Sequence, residues 1–279
     1  MKLITTLAIA AAALLLNPTA YAELTASQRE SILAEAQADY DTGTSMLKTD
    51  PAEAVMAFRS SAERFQLLVN DGISNGALFY DLGNAWYQAG DLGRSIASYL
   101  RAQRLMPDDP RLEANLNWTR SLVRPQIATD DHEALVRRLA FWHDGWSLRT
   151  RLTLFAIAWL GLWAALGIRV LRRYSGWNYI SGAGAAVAVL MGGSILMDVA
   201  ITNTRTTGVL VGEDIVVRKG NAESFQPQFE EPMHQGVEFK VLEERPDWLH
   251  IEFNNGSSGW IPASDAEIVK ASRGPTLQT

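Results

Sequence analysis

Cysteine is absent from the sequence. This absence excludes disulfide bonds, zinc–thiolate sites, iron–sulfur clusters, haem attachment through a CxxCH motif and catalysis by a thiol. Basic residues are also fewer than acidic ones. The sequence has 25 Lys and Arg and 31 Asp and Glu, which gives a net charge of −6. A protein that binds nucleic acid needs a basic surface, so nucleic acid is not expected among its partners.

Histidine is scarce, and no arrangement of side chains in the sequence predicts a reaction. The histidines lie in three different segments, without an i, i+4 partner suited to a metal: His132, His143, His234 and His250. The pairs Glu230–Glu231 and Glu243–Glu244 are interpreted as solvated charge. We therefore predict that the chain is not an enzyme and has no catalytic residue, metal site or cofactor.

The N-terminus has the pattern of a secretory signal peptide over residues 1–22. Lys2 supplies a positive charge, residues 7–16 form a short apolar run, and Pro18 breaks the helix before the small-x-small sequence Ala20-Tyr21-Ala22. Cleavage there would make Glu23 the first residue of an exported protein. The alternative is an uncleaved anchor.

Residues 23–124 are predicted to form a helical domain. Thr25 and Gln28 form a capping-box pattern, and Asp50 followed by Pro51 begins another helix. The apolar positions of these two helices recur at helical spacing: Ile32, Leu33, Ala36 and Tyr40, then Ala54, Val55, Phe58, Ala62, Phe65 and Val69.

The next helical pair carries a more specific pattern. Its characteristic positions are Phe79, Leu82, Gly83, Trp86, Gly90, Tyr99, Ala102 and Pro107. This spacing resembles a tetratricopeptide repeat, with Ser95 as a departure where the family prefers Ala. Gly83 is expected to let two antiparallel helices approach closely, while Gly90 ends the first helix and Pro107 ends the second.

The resemblance implies a protein-binding groove on the first helix of this pair. The predicted groove residues are Ala77, Tyr80, Asn84, Tyr87 and Gln88. Amides and aromatic faces in such a groove suit an extended peptide or a helix; the alternative is that the aromatic row packs on the neighbouring hairpin. Because the groove set lies beside the core-facing set, we expect that Asn84 and Tyr87 can be replaced without opening a cavity.

The repeat array around this pair is short. Residues 27–69 are interpreted as a degenerate repeat. The helix after Asp109-Pro110 is interpreted as a capping helix, with apolar positions at Leu112, Leu116, Leu122 and Val123. A solenoid needs neighbours to bury each apolar face, so further support could come from a partner or from the next segment.

Residues 125–151 are predicted to be an amphipathic connector. Trp142 and Trp146, with Arg149 and Arg151 close behind, suit the membrane–water interface, where aromatic rings and long cations are favoured. The alternative is ordinary packing of this segment against the repeats.

Two apolar stretches then predict a transmembrane hairpin. Residues 152–171 and 177–201 are each long enough to span a bilayer. The turn between them, residues 172–176, contains Arg172 and Arg173 and follows closely after Arg169, as expected for a cytoplasmic loop. With an exported N-terminus, both soluble parts are therefore predicted to lie in the periplasm.

Small residues on the second span would allow close helix approach, either within the hairpin or to a membrane partner. These residues are Gly182, Gly184, Ala188, Gly192 and Gly193. Asp198 lies near the outer end of this span and is interpreted as solvated, with a functional role as the alternative.

Residues 207–269 have the pattern of short β-strands separated by turns. Strands are predicted at 209–211, 215–217, 236–243, 248–253 and 259–261, with a hairpin turn at Asn254-Asn255-Gly256. The order of Val217-Arg218, Asp247-Trp248 and Gly259-Trp260-Ile261 resembles bacterial SH3 domains. Trp248 is a candidate for the ligand surface, whereas Trp260 is expected to fill the centre of the barrel. Residues 270–279 are interpreted as a flexible tail.

The predicted architecture is multi-domain: an all-α tetratricopeptide-repeat solenoid, a two-helix transmembrane hairpin and an all-β SH3-like barrel. This order resembles the BatE-like proteins of the Bacteroides aerotolerance operon type. The resemblance implies partners with von Willebrand factor A domains in the membrane, and indirectly a MoxR-type AAA+ ATPase. We expect an envelope scaffold at the cytoplasmic membrane; the alternative is an adaptor whose SH3 domain binds peptidoglycan.

Overall fold

The computed structural model describes residues 24–124, 148–172, 177–202 and 206–269. The helices there are α1 (Ala26–Met46), α2 (Pro51–Asn70), α3 (Gly76–Gln88), α4 (Leu92–Leu105), α5 (Pro110–Leu122), α6 (Leu148–Arg172) and α7 (Trp177–Thr202). The strands are β1 (Thr207–Leu210), β2 (Glu238–Glu244), β3 (Trp248–Phe253), β4 (Ser258–Pro262) and β5 (Ala266–Val269). The predicted combination of a helical part and a small antiparallel sheet is confirmed.

Several predictions concern residues outside this description. They are the signal peptide at 1–22, the amphipathic helix within 125–147, positions 173–176 of the turn, and the tail at 270–279.

The predicted helix boundaries in the first domain are confirmed by their capping interactions. The Thr25 side chain and Gln28 form the capping box of α1, and the Asp50 carboxylate accepts from the Glu53 N–H ahead of α2. Asp109 caps α5 in the same way. After α2 and α3 the chain reverses at Gly72 and Gly90, whose φ angles of 90° and 84° suit glycine.

Most of the predicted apolar positions are buried in the helical core. Those with almost no exposure are Ala36, Ala54, Phe58, Ala62, Phe65, Leu82, Trp86, Tyr99, Ala102, Leu112 and Leu116. Leu33, Val55 and Leu122 were assigned wrongly, because they lie at the edge of each helical stripe and remain 38–40% exposed. In α2 the inward position is Leu68, which the spacing argument omitted.

Gly83 is where α3 and α4 come into close contact, as predicted. A Cβ atom at this position would lie 2.5 Å from the Tyr99 ring. The same contact explains the departure at Ser95, whose buried hydroxyl donates to the Gly83 carbonyl at 2.9 Å. Serine therefore adds a hydrogen bond between the two helices that alanine could not make.

The β part is a five-stranded antiparallel sheet with strand order β4-β3-β2-β1-β5. The predicted strand at 215–217 is wrong: Ile215 and Arg218 make only isolated bridges within the long connection from β1 to β2. The fifth strand is β5, which pairs with β1. Its sequence, Ala266-Glu267-Ile268-Val269, is too short and too weakly alternating to be noticed.

The β part packs directly on the helical part. A Cβ atom at Gly93 of α4 would lie 2.3 Å from the Leu210 carbonyl oxygen of β1, and Gly236 lies against Val123 and Ile96. A single apolar cluster crosses the boundary, with Ile96, Tyr99, Leu116 and Val123 on one side and Val209, Leu210, Val237 and Phe239 on the other. A later segment of the same chain therefore covers apolar surface of the helical part.

Ion pairs surround this apolar contact. The Arg120 guanidinium donates to both oxygens of Glu238, at 2.6 and 2.9 Å. Arg101 pairs with Glu267 and also donates to the Ile268 carbonyl oxygen at 3.0 Å. Paired, directional bonds of this kind fix the register of one part against the other.

Among the described residues, one stretch, Thr150–Ile168 in α6, is long and apolar enough to cross a membrane, with a mean hydropathy of 1.7. In α7 the apolar stretch Ser181–Leu196 is shorter. The helix α6 begins at Leu148, before the predicted start at residue 152.

The helices α6 and α7 pack together through small residues. Gly184 lies near Leu162 and the Ala158 carbonyl, and Gly192 faces the Phe155 ring, which favours the within-hairpin interpretation for these two positions. A Cβ atom at Gly182 or Gly193 would meet no described atom within 4 Å.

Arg151 differs from its predicted interfacial position. It is only 6% exposed and donates to the Ser194 hydroxyl of α7 at 2.7 Å. Its side chain therefore links the two helices rather than extending along their surface.

Candidate functional site

The candidate site lies on one face of α3. The side-chain oxygen Oδ1 of Asn75 caps the helix by accepting a hydrogen bond from the Ala77 N–H at 2.8 Å. Beyond that cap, Tyr80, Asn84 and Tyr87 follow at spacings of four and three residues, which places them on one helical face. Their α3 neighbours Leu82 and Trp86 are buried on the opposite, core-facing side.

This face closes one side of a cavity of about 280 Å³, here called the groove. The described residues that line the groove are Tyr40, Tyr80, Asn84, Tyr87, Gln88, Tyr99, Asn115, Trp118 and Thr119. Four predicted residues are therefore brought together, while Ala77 is exposed at the start of α3 and outside the lining.

Asn84 is the centre of a hydrogen-bond network below the groove. Its oxygen Oδ1 accepts from the Tyr99 hydroxyl at 2.7 Å and from the Asn115 amide at 3.0 Å. The same Asn115 amide group donates to the Tyr80 hydroxyl oxygen at 3.1 Å. The orientation of Asn84 follows from this network, because the reverse would set two amide donors against each other.

The prediction that Asn84 can be replaced without structural cost is therefore wrong. Tyr99 is only 1% exposed, and removing the Asn84 oxygen would leave its hydroxyl without that acceptor. A buried polar group that loses its partner costs about 1–3 kcal/mol. Asn84 both shapes the groove and stabilises the helices beneath it.

Tyr87 and Trp118 form the outer edge of the groove. The Trp118 Nε1–H donates to the Tyr87 hydroxyl oxygen at 2.7 Å, yet Trp118 is 58% exposed. A tryptophan held by its polar end, with its ring in solvent, is typical of a contact surface for another molecule.

The described lining of the groove is polar and uncharged. None of its described lining residues carries a formal charge at neutral pH, and burial raises the pKa of the Tyr40 and Tyr99 hydroxyls. Arg111 lies 5.7 Å from the centroid of the Tyr80 ring and is itself paired with Asp109 at 2.8 Å.

Sequence reasoning missed the groove residues that come from other helices. Tyr40 was assigned to the core stripe of α1, and α5 was interpreted only as a cap. The signal available was that Asn115, Trp118 and Thr119 stand three and four residues apart, beside the buried Leu112 and Leu116 stripe. Only the tertiary packing shows that this face of α5 meets the face of α3.

The aromatic residues of the β part have different roles from those predicted. Trp260 does not belong to the apolar core of the β part, whereas the neighbouring Ile261 does, at 0% exposure. The Trp260 ring instead stacks on His250 at 4.8 Å, and the Arg245 guanidinium lies 4.6 Å from its centroid. Strand alternation explains the error, because neighbouring residues of β4 face opposite sides of the sheet. Trp248 is half-buried on the same outer face as His250.

Comparison of the sequence with protein-family models finds no match, and comparison with curated protein sequences finds none either.

Proposed function

We propose that this chain is a membrane-anchored scaffold of a bacterial envelope, which binds partner proteins through the groove and carries out no reaction of its own. The observation that supports this proposal best is the groove edge, where the exposed Trp118 ring is held by Tyr87. Ordered aromatic rings beside fixed amides form a surface that suits recognition of another chain.

The membrane anchor is supported by the surface of α6. Its Thr150–Ile168 stretch is only 11% buried, and apolar side chains such as Leu160, at 69% exposed, point outward. A soluble core helix would bury such residues, whereas a bilayer solvates them. We propose that α6 and α7 cross the membrane as a hairpin.

The packing between the two soluble parts supports one shared compartment. Residues 24–124 and 206–269 share a core, so the segment between them must begin and end on the same side of any membrane it crosses. Two crossings satisfy this condition, and one crossing does not. Together with the signal-peptide pattern, this leads us to propose that both parts lie in the periplasm.

The domain order suggests the kind of partner. It resembles the BatE-like proteins, so we propose that the scaffold contacts membrane proteins with von Willebrand factor A domains. A MoxR-type AAA+ ATPase in the cytoplasm would be reached only through those proteins. The tetratricopeptide-repeat and SH3-like assignments are part of this proposal.

The alternative function is a peptidoglycan-binding adaptor that uses the β part. It depends on Trp248, since Trp260 is covered by His250 and Arg245 and offers little free surface. A pull-down of the full chain in detergent with purified peptidoglycan, with and without Trp248→Ala, tests this alternative.

The proposed function is tested by crosslinking in intact membranes followed by mass spectrometry of the partners. In the variant Tyr87→Ala with Trp118→Ala, both members of one hydrogen bond are removed, so neither is left unpaired. Loss of two aromatic anchors is expected to reduce partner recovery at least tenfold, equivalent to about 1.4 kcal/mol or more.

The matched control removes exposed apolar surface elsewhere. Met56→Ala with Leu67→Ala changes two exposed residues of α2, a helix that contributes no described residue to the groove. Partner recovery should be unchanged in this control. Normal recovery from a folded Tyr87/Trp118 variant would exclude the groove as the binding site.

A further inference from the structure

The hydrogen-bonding inventory of the groove identifies the class of peptide that it accepts. This inference rests on the proposed function and concerns the ligand of the same groove. The Asn84 oxygen is fully engaged by Tyr99 and Asn115, which leaves the Asn84 amide hydrogens on the groove side. No described residue provides an acceptor for them within hydrogen-bonding distance.

The hydroxyl oxygens of the two tyrosines on α3 also accept hydrogen bonds from neighbouring side chains. The Tyr80 oxygen accepts from Asn115, and the Tyr87 oxygen accepts from Trp118. Each hydroxyl hydrogen therefore remains available to a ligand. The Asn84 amide and the Tyr80 and Tyr87 hydroxyls thus give α3 a row of hydrogen-bond donors.

The row of donors calls for a ligand rich in acceptors. Backbone carbonyl groups meet this need, and a proline-rich segment offers carbonyls without competing N–H groups. The absence of formal charge from the described lining disfavours a ligand that depends on a carboxylate, a phosphate or a basic side chain. Flat aromatic faces such as Trp118 suit pyrrolidine rings, as in other grooves that bind polyproline II helices.

The dimensions of the groove agree with this choice. From Tyr80 to Tyr87 the helix rises about 10 Å, at 1.5 Å per residue. A polyproline II helix advances about 3.1 Å per residue, so roughly three residues would span the donor row. We propose that the groove binds a proline-rich, uncharged segment of a partner protein in the polyproline II conformation.

The test measures binding of a fluorescently labelled, N-acetylated and C-amidated decaproline to the full chain in detergent by anisotropy. An uncharged Gly/Ser decamer, a peptide with a free acidic C-terminus and an N-acetylglucosamine oligomer serve as competitors. We expect decaproline to bind at least tenfold more tightly than the competitors, with little dependence on salt. Equal binding of the Gly/Ser decamer, or preference for the acidic peptide or the sugar, would overturn the proposed ligand class.

Variants place the binding in the groove. Trp118→Ala should weaken decaproline binding at least tenfold, and Tyr87→Phe, which keeps the ring and removes the donor, should weaken it several-fold. Unchanged binding in both variants would reject the groove as the site of decaproline. If decaproline fails to bind while the Tyr87/Trp118 double variant still loses its crosslinked partners, the ligand class is wrong and the proposed scaffold function stands.

Discussion

Gly83 shows how the absence of one side chain sets the distance between two helices. Its Cα faces the Tyr99 ring so closely that even a methyl group would overlap the ring carbons. The Tyr99 ring cannot move aside without breaking its hydrogen bond to Asn84. The close approach of α3 and α4 and the floor of the groove therefore depend on the same residue.

The first prediction concerns this contact. Gly83→Leu should lower the free energy of unfolding by about 1–3 kcal/mol, because overpacking forces the two helices apart. Ala77→Leu adds the same bulk at an exposed position of α3 and should change stability by less than about 0.5 kcal/mol. Denaturation of the full chain in detergent, followed by circular dichroism, measures both. Equal stabilities would mean that the α3–α4 packing is not as described.

A second prediction uses the half-buried carboxyl of Asp81. Burial raises the pKa of this group, and the charge of Arg111 only partly opposes that effect. The native state therefore disfavours the ionised form, and this penalty is present above the folded pKa and disappears as the pH falls below the ordinary value of 3.8. Asp81→Asn should raise the melting temperature at pH 7, and the difference should shrink towards pH 3.

The control for this experiment is Asp108→Asn, which changes an exposed aspartate in the loop before α5. Its melting temperature should follow the unmodified protein at every pH. A constant difference between Asp81→Asn and the unmodified protein from pH 7 to pH 3 would show that ionisation of Asp81 does not affect stability.

Single residues were predictable where local rules decide them. The capping residues Thr25, Asp50 and Asp109 accept from backbone N–H groups two or three positions away, so sequence alone reveals them. Asn84 was predicted as a groove residue, but its structural role was not, since that role depends on Tyr99 and Asn115 from other helices. Sequence spacing within one helix carries no information about such partners.

At the scale of elements, the contact between α4 and β1 joins the helical part to the β part. Gly93 allows the Leu210 carbonyl to approach the helix axis, and the Gln235 side chain accepts from the Gly93 N–H at 3.3 Å. Backbone atoms form the contact on both sides, so neither surface can yield by changing a rotamer. A side chain at position 93 would have to separate the elements.

This contact gives the third prediction. Gly93→Val should weaken the docking of β1 and β5 on α4 by about 1–3 kcal/mol. Hydrogen exchange of the full chain in detergent should then show faster exchange in these strands and in α4, with α1 and α2 unaffected. Gly161→Val is the matched control, because a Cβ atom there meets no described atom within 4 Å. Unchanged exchange in Gly93→Val would contradict the docked arrangement.

Elements with strong periodicity were predicted well, and weak ones were not. The helices of the first domain and the strand Trp248–Phe253 agree with expectation because their apolar residues recur at the period of a helix or a strand. The strand β5 was missed because its pairing with β1 is long-range, whereas 215–217 has β-branched residues but lies in a loop with isolated bridges. Propensity alone could not separate these two cases.

At the scale of the whole molecule, the main contacts join segments that lie before α6 and after α7 in the chain. Helices from before α6 and strands from after α7 form one core, and Arg120 and Glu238 join them from residues far apart in the chain. No local sequence pattern predicted the contact between the helical part and the β part. From sequence alone, the two parts were expected to be separate domains. The consequence of this contact is topological, because parts that share a core cannot be separated by a bilayer.

The last prediction tests that consequence, using the absence of natural cysteines. Single substitutions Ser31→Cys in α1, Ser264→Cys after β4 and Ser175→Cys between α6 and α7 provide one thiol each. In cells with a permeabilised outer membrane, an impermeant maleimide should label positions 31 and 264, and it should label position 175 only after the inner membrane is lysed. Labelling of 175 alone would reverse the orientation. Labelling of position 31 without position 264, when both thiols react in detergent, would place the two parts on opposite sides of the membrane. Such an arrangement requires an odd number of crossings, and it would contradict the shared core.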